Sequence, residues 1–293
     1  MALSAIANPR IMNKNYFYLM FIALFLGCSP SETEDDQGQE PESGNPPTVE
    51  DRYLSEINGD DDVKFHYENG LLVKGVGNSS SEHSSYYVAF QIEYNSNNKV
   101  DRVLVSHYVY INKPADFSFD LTNSEYEDGL EIYNYDYKDN RLHTISGETG
   151  QVQTEIFYDN KGRVIKTKNY DEDGEYDESS LKYDSEGKLS SFDAFHTGTN
   201  KTVYGEIESD DKANPLYVFW KNHSFVMPII YSYFLDNNVS FYPHNITAVH
   251  VQGEKQYGVK HMEYEEGYPI IYDLDVEDSA TQDTEPMRLM YLD

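Results

Sequence analysis

The chain has 293 residues, with 52 Asp and Glu against 22 Lys and Arg, for a formal net charge of −30. A field of that sign repels phosphate backbones and anionic bilayer surfaces, which excludes nucleic acid as a partner and leaves cations, neutral glycans and proteins open. The single cysteine, Cys28, rules out an internal disulfide and a cysteine-based metal site, and 27 tyrosines with 18 glycines give an all-β composition.

Residues 1–27 read as an export signal. Lys14 supplies a positive start, and residues 16–26 form an apolar run too short to cross a bilayer, ending in Leu24-Phe25-Leu26-Gly27-Cys28. That ending resembles a bacterial lipobox, which implies that Cys28 is lipidated and becomes the first mature residue. Met12 looks like a more usual start than Met1. Residues 28–52 form an acidic tether with Pro30, Pro41, Pro46 and Pro47 and almost nothing apolar. Such a segment buries too little surface to offset its ordering entropy. Acidic residues just after the cysteine resemble the signal that sends Bacteroidota lipoproteins to the cell surface. The expected location is therefore the outer membrane, lipid-anchored and displayed outward, with a plain solvated spacer as the other reading of the tether.

Residues 53–293 are expected to be one β-repeat domain, regular to about 208 and less regular beyond. After a lead-in at 53–57 and a turn at Asp60-Asp61-Asp62, residues 63–75 give a hairpin around Asn69-Gly70, the strongest two-residue hairpin signal. Residues 86–94 and 99–111 pair across 95–98, an excursion at 113–124 follows, and 130–137 pairs with 141–146. Five strands come next, at 152–158, 163–170, 175–183, 188–195 and 201–208. Their turns repeat one pattern: Asp159 to Gly162, Asp171 to Gly174 and Asp184 to Gly187 each place Asp first and Gly fourth. A type I turn followed by a left-handed residue needs that arrangement. Ile156 with Tyr158, and Leu181 with Tyr183, lie two apart and so share a sheet face. Beyond 208 a turn is expected at 210–215, then the most apolar stretch, 216–235, covering one face or end of the sheet. Strands at 246–252, 259–264 and 270–274, a polar loop at 277–285 and a last strand at 287–292 complete the chain.

The recurring unit, best seen as Tyr158-Asp159-Asn160-Lys161-Gly162-Arg163-Val164 and Tyr183-Asp184-Ser185-Glu186-Gly187-Lys188-Leu189, resembles the YD repeats of RHS-type proteins. With the lipobox, the 211–215 segment and the Asn237-Asn238 break, the chain resembles the Bacteroidota lipoproteins of the DUF4595 kind. The resemblance implies a tandem antiparallel hairpin meander, twisted and curled. It brings no catalytic residues, and a handful of repeats does not carry over the encapsulating role of the large RHS shells.

No nucleophile elbow, zinc-protease helix, P-loop or dinucleotide fingerprint occurs, so no catalytic residue, cofactor or metal ligand is assigned. The acidic turn at 171–177 lacks the frame of an EF-hand, and a solvated hairpin turn accounts for it. The histidines fall singly on strands, where packing is their usual role. The carboxylates are too numerous to single out a glycosidase dyad, whose separation of about 5 to 10 Å is invisible in sequence. Aromatic rings on an open sheet face can stack on sugars, and Trp220, Tyr158, Tyr183 and Tyr264 are the candidate binding residues, against cross-strand packing as the plainer role. Asp278-Ser279-Ala280 resembles the O-glycosylation signal of Bacteroidota, which marks Ser279. The expected function is a non-enzymatic envelope lipoprotein, held to the membrane through Cys28 and binding a glycan or an envelope protein. A hydrolase predicts instead a cleft with two carboxylates, or a His and an acid, converging from distant strands. A pure spacer predicts neither patch nor cleft.

Overall fold

The computed structural model describes residues 51–58, 61–81, 84–106, 117–123, 130–171, 174–224, 242–275 and 286–292. Cys28, Ser279, the export signal, the tether as far as residue 50 and residues 225–235 lie outside the described residues. The described chain forms sixteen strands and one short helix. The strands are β1 (Leu54–Asn58), β2 (Asp61–Glu68), β3 (Leu71–Ser81), β4 (Ser84–Tyr94), β5 (Val100–Ser106), β6 (Leu130–Lys138), β7 (Arg141–Ser146) and β8 (Val152–Tyr158). They continue as β9 (Val164–Tyr170), β10 (Tyr176–Tyr183), β11 (Leu189–His196), β12 (Lys201–Ala213), β13 (His244–Val251), β14 (Glu254–Glu265), β15 (Tyr268–Asp275) and β16 (Met287–Tyr291). Each strand pairs antiparallel with its neighbours in the chain, and β1 also pairs with β16, so the meander returns to its first strand and the pairing runs round as a ring.

The expected hairpins are realised. Gly162 and Gly187 have φ of 85° and 83°, a region that costs glycine nothing. Asp159 Oδ1 accepts from the N–H groups of Lys161 and Arg163, and Asp184 Oδ1 from those of Glu186 and Lys188. In each case one short side chain closes the turn and the bulge after it. Asn95 plays the same part before Asn98, whose φ is 56°.

The repeat tyrosine does more than precede a turn. Tyr67, Tyr94, Tyr137, Tyr158, Tyr183 and Tyr291 each donate their hydroxyl to a backbone carbonyl in the preceding part of the ring: Leu54, Leu72, Val100, Leu142, Val164 and Pro269, at 2.6 to 2.9 Å. The residue just before the accepting carbonyl usually covers the ring. Lys99 lies over Tyr137, Arg141 over Tyr158 and Arg163 over Tyr183, at 5.0, 5.4 and 4.3 Å from the ring centroids. Tyr53 and Tyr268 pack edge-on or tilted against Tyr67 and Tyr291. Each hairpin is thereby tied to the previous one by a hydrogen bond worth about 1 kcal/mol and by a cation–π or aromatic contact of similar size. Together the rings form a girdle at one end of the structure.

Inside the girdle sits α1 (Tyr217–His223), a helix where the sequence reading had no element of its own. Phe219 packs on Phe65 and Tyr67, Trp220 stacks on Tyr158, and His223 meets Tyr94 edge-on. The expected turn at 210–215 is also displaced: β12 runs on to Ala213, with two irregularities in its register against β13. Asn214 then reverses the chain, accepting from Leu216 N–H on its side chain and from Tyr217 N–H on its carbonyl. The expected turn at Asp61-Asp62 likewise falls inside β2.

Inward side chains from all parts of the ring, among them Leu54, Phe90, Val103, Leu142, Leu181, Phe192, Ile246 and Leu289, form one buried cluster. A round ring of sixteen strands leaves an aqueous channel. Here the lumen is filled by apolar groups. A smaller cluster lies outside, where Phe119 and Leu121 of the excursion cover Val76, Ala89 and Leu104.

Burial is the largest cause raising the hydroxyl pKa of Tyr67, Tyr94, Tyr137, Tyr158, Tyr183 and Tyr291 above 10. A folded pKa above the unfolded one means stability is complete below pH 10 and falls as pH rises past it, by about 1.4 kcal/mol per pH unit for each such group. Part of the tyrosinate absorbance should therefore appear in a cooperative step well above pH 10 that coincides with loss of β-sheet circular dichroism. Ionisation of all the tyrosines near pH 10 with the sheet intact would contradict the girdle. Tyr183→Phe, which leaves the Val164 carbonyl without its hydroxyl, should cost about 1–3 kcal/mol in chemical unfolding.

Candidate functional site

The alternation that sends Ile156, Thr167, Leu181 and Phe192 inward sends their neighbours outward. The outer face of β8–β12 thus carries Phe157, Tyr170, Tyr176, Phe195 and Tyr204 around a centre of charged and hydroxyl groups. Register fixes the layout. Phe157 lies opposite Lys166, Glu178 opposite Phe195, and Ser180 opposite Asp193, which in turn faces Tyr204. From β8 to β12 there are four strand spacings, roughly 19 Å.

The charges on this face are paired. Glu178 binds both Lys166 and Lys168, at 2.8 and 3.4 Å, and Lys182 binds Asp193 at 2.6 Å. The Tyr170 hydroxyl donates to Glu155 at 2.6 Å, and this bond, ahead of burial, pushes its pKa up to about 12. Each lysine also lies over a ring, Lys166 over Phe157, Lys168 over Tyr176 and Lys182 over Tyr204. Three lysines offset Glu155, Glu178 and Asp193, and Glu206, which accepts from the Tyr204 hydroxyl at 3.3 Å, leaves the face only slightly negative on a chain of net charge −30. Tyr204 is 43 % exposed and the other four rings are half-buried. The arrangement offers ring faces for stacking and fixed donors and acceptors for hydroxyl groups.

The same face decides how the ring meets its surroundings. A transmembrane barrel has an apolar exterior and a polar lumen. This ring has the reverse polarity, because its exterior carries the ion pairs just described and Glu208 with His250, while its lumen is apolar. Such an exterior cannot face hydrocarbon. Among the described residues no helix is long and apolar enough to cross a membrane.

The residues singled out from sequence are divided by the structure. Tyr158 and Tyr183 share the inner face with Ile156 and Leu181, as their spacing implied, and their hydroxyls and rings are engaged in the girdle. Trp220 belongs to α1 and stacks on Tyr158. Tyr264 departs from the repeat: it faces outward, 36 % exposed, and its hydroxyl bonds Asp210. The outward rings at 157, 170, 176, 195 and 204 were not singled out. Alternation alone places Phe157 on the face opposite Tyr158, and that signal was available. Histidine–carboxylate pairs do occur, as Asp177 with His196, Glu208 with His250 and His261 with Glu263, but each joins adjacent strands or the same strand rather than distant ones. Among the described residues no three His, Cys, Asp or Glu side chains cluster to hold a metal ion.

No protein-family model matches the sequence, and no curated protein matches it. Solved structures similar to the chain include a porin-like protein from Bacteroides uniformis, with a TM-score of 0.37 and 14 % identity over 82 % of this chain and 98 % of that one. A porin-like protein from Bacteroides vulgatus gives a TM-score of 0.33 and 10 % identity over 82 % and 99 %. A third is TcdB2-TccC3, at a TM-score of 0.23 and 11 % identity over 77 % of this chain and 14 % of that one.

Trp220 is the single tryptophan and lies in the girdle, away from the outer face of β8–β12. A ligand held on that outer face should leave its emission unchanged. A shift at saturating ligand would move the site to the end occupied by α1.

Proposed function

We propose that the protein is a non-enzymatic lipoprotein of the cell envelope, anchored through Cys28 and displayed at the cell surface, and that it binds a glycan along the outer face of β8–β12. The observation that carries this reading is the aromatic platform, its charges largely paired, on a strongly acidic molecule. Tyr204, Phe195, Tyr176 and Phe157 supply apolar ring surface, and Lys166, Glu178, Ser180 and Asp193 supply donors and acceptors between the rings. A neutral polysaccharide presents the complement, apolar ring faces edged by hydroxyls, and meets no net repulsion there. A polyanion would be repelled by the chain as a whole. The reversed polarity of the ring also supports a body held outside the bilayer, which leaves anchoring to the lipid on Cys28. The turn pattern supports kinship with YD-repeat lipoproteins of the DUF4595 kind.

The test is affinity electrophoresis or a glycan array with the full chain purified in detergent. Tyr204→Ala combined with Phe195→Ala should weaken polysaccharide binding about tenfold or more while leaving the unfolding midpoint close to that of the parent. Failure to bind any polysaccharide, or binding indifferent to both substitutions, overturns the glycan reading. Anchoring has a separate readout: Cys28→Ser should lose lipid labelling and membrane association, and unchanged fractionation would refute it.

A further inference from the structure

The outward rings of β8–β12 are not scattered evenly. Register sets Glu178 opposite Phe195 and Asp193 opposite Tyr204. Tyr176 stands two residues from Glu178 on β10, and Phe195 two residues from Asp193 on β11. Each step, from Tyr176 to Phe195 and from Phe195 to Tyr204, therefore moves one strand across and two residues towards the girdle. Diagonal neighbours of this kind are roughly 7–8 Å apart, so the three rings form one oblique row about 15 Å long. Phe157 stands apart from it, on β8 near the girdle, whereas the row meets β10 near the opposite end at Tyr176.

Polar groups edge the row on both sides. Glu178 and Asp193 lie along one edge, held by Lys166 and Lys168 and by Lys182. The exposed Thr202, opposite Phe195, lies along the other. An ion-paired carboxylate keeps lone pairs for further donors, and a threonine hydroxyl both donates and accepts. Hydroxyls at the rim of a stacked sugar thus find acceptors on one side and a hydroxyl on the other. At the two end rings the sugar shares the surface with Lys168 and Lys182.

We propose that this face holds an internal stretch of a linear, neutral polysaccharide laid obliquely across β10–β12 on Tyr176, Phe195 and Tyr204, with Phe157 outside the contact. The inference rests on the glycan reading of the same face. The outside of a ring of strands is convex, so a chain laid along it runs past both ends of the row and meets no wall that would select a terminal sugar. One sugar covers one ring and leaves the other two bare, so affinity has to grow with chain length. Uronic or sulfated chains are disfavoured by Glu178 and Asp193 along the row and by the net charge of −30.

The experiment is isothermal titration of the detergent-purified full chain with cello-, manno-, xylo- and malto-oligosaccharides, each from disaccharide to hexasaccharide. In at least one series affinity should rise about tenfold or more with length, and reducing the terminal sugar of the hexasaccharide to its alditol should change nothing. Tyr176→Ala and Phe195→Ala should each weaken hexasaccharide binding about tenfold, while Phe157→Ala leaves it within about twofold. Phe195→Leu, which keeps apolar bulk but removes the ring, should lose binding with the unfolding midpoint held. Affinity independent of length, loss of binding on alditol formation, or a Phe157→Ala loss as large as that of Phe195→Ala overturns the oblique row and leaves the platform standing. Silence in all four series and with their parent polymers overturns both.

Discussion

The architecture depends on one contact repeated round one end of the ring: a tyrosine hydroxyl donating to a carbonyl at the start of the strand before its own. Ladder hydrogen bonds set the spacing between adjacent strands, but they do not say which end of a hairpin should stay level with the next. Each hydroxyl reaches back to a residue at the start of an earlier strand, Val100 from Tyr137 and Leu142 from Tyr158. A slip of one residue would break that bond and turn the ring to the wrong face. The side chain before the accepting carbonyl then closes over the ring, so position and packing are settled together. That accounts for six of the 27 tyrosines. Only tyrosine combines a large apolar ring with a hydroxyl at its far end.

With the girdle occupied by α1 and the lumen by aliphatic and aromatic side chains, the wall's outer face is where the described residues leave room for chemistry. The outer face is ordered because its charges are paired, and a ligand that stacks on Phe157, Tyr176 or Tyr204 shares the ring with the lysine over it or displaces that lysine.

Much of this was legible in the sequence. Asp and Gly at fixed spacing located the turns, because the left-handed position needs glycine or asparagine whatever packs nearby. The strands between followed, and so did the shared inner face of Ile156 with Tyr158. What escaped had physical causes. α1 is seven residues long, less than the length over which a helical period declares itself, and its start depends on the Asn214 side chain closing a turn that reads equally well as a loop. Closure of the ring rests on β1 meeting β16, a contact that no local pattern announces. Two of the four candidate rings, Tyr158 and Tyr183, belong to the most regular repeats, which are the ones the framework consumes. Residues outside the repeat unit, Phe157 and Tyr204 among them, are free to face outward.

The pairing of Leu54 with Tyr291 and of Ile57 with Leu289 joins segments separated by roughly the whole described chain. The hairpins are local and can form within microseconds of one another. The seam between first and last strands must wait until everything between them has been arranged, and loop closure over that distance is slow. Until then β1 and β16 offer open edges to any other extended chain. A protein built this way has a defined vulnerable interval in time: it lasts from the moment the hairpins have formed until the final strand docks. Anything that escorts the folding chain has to cover that interval.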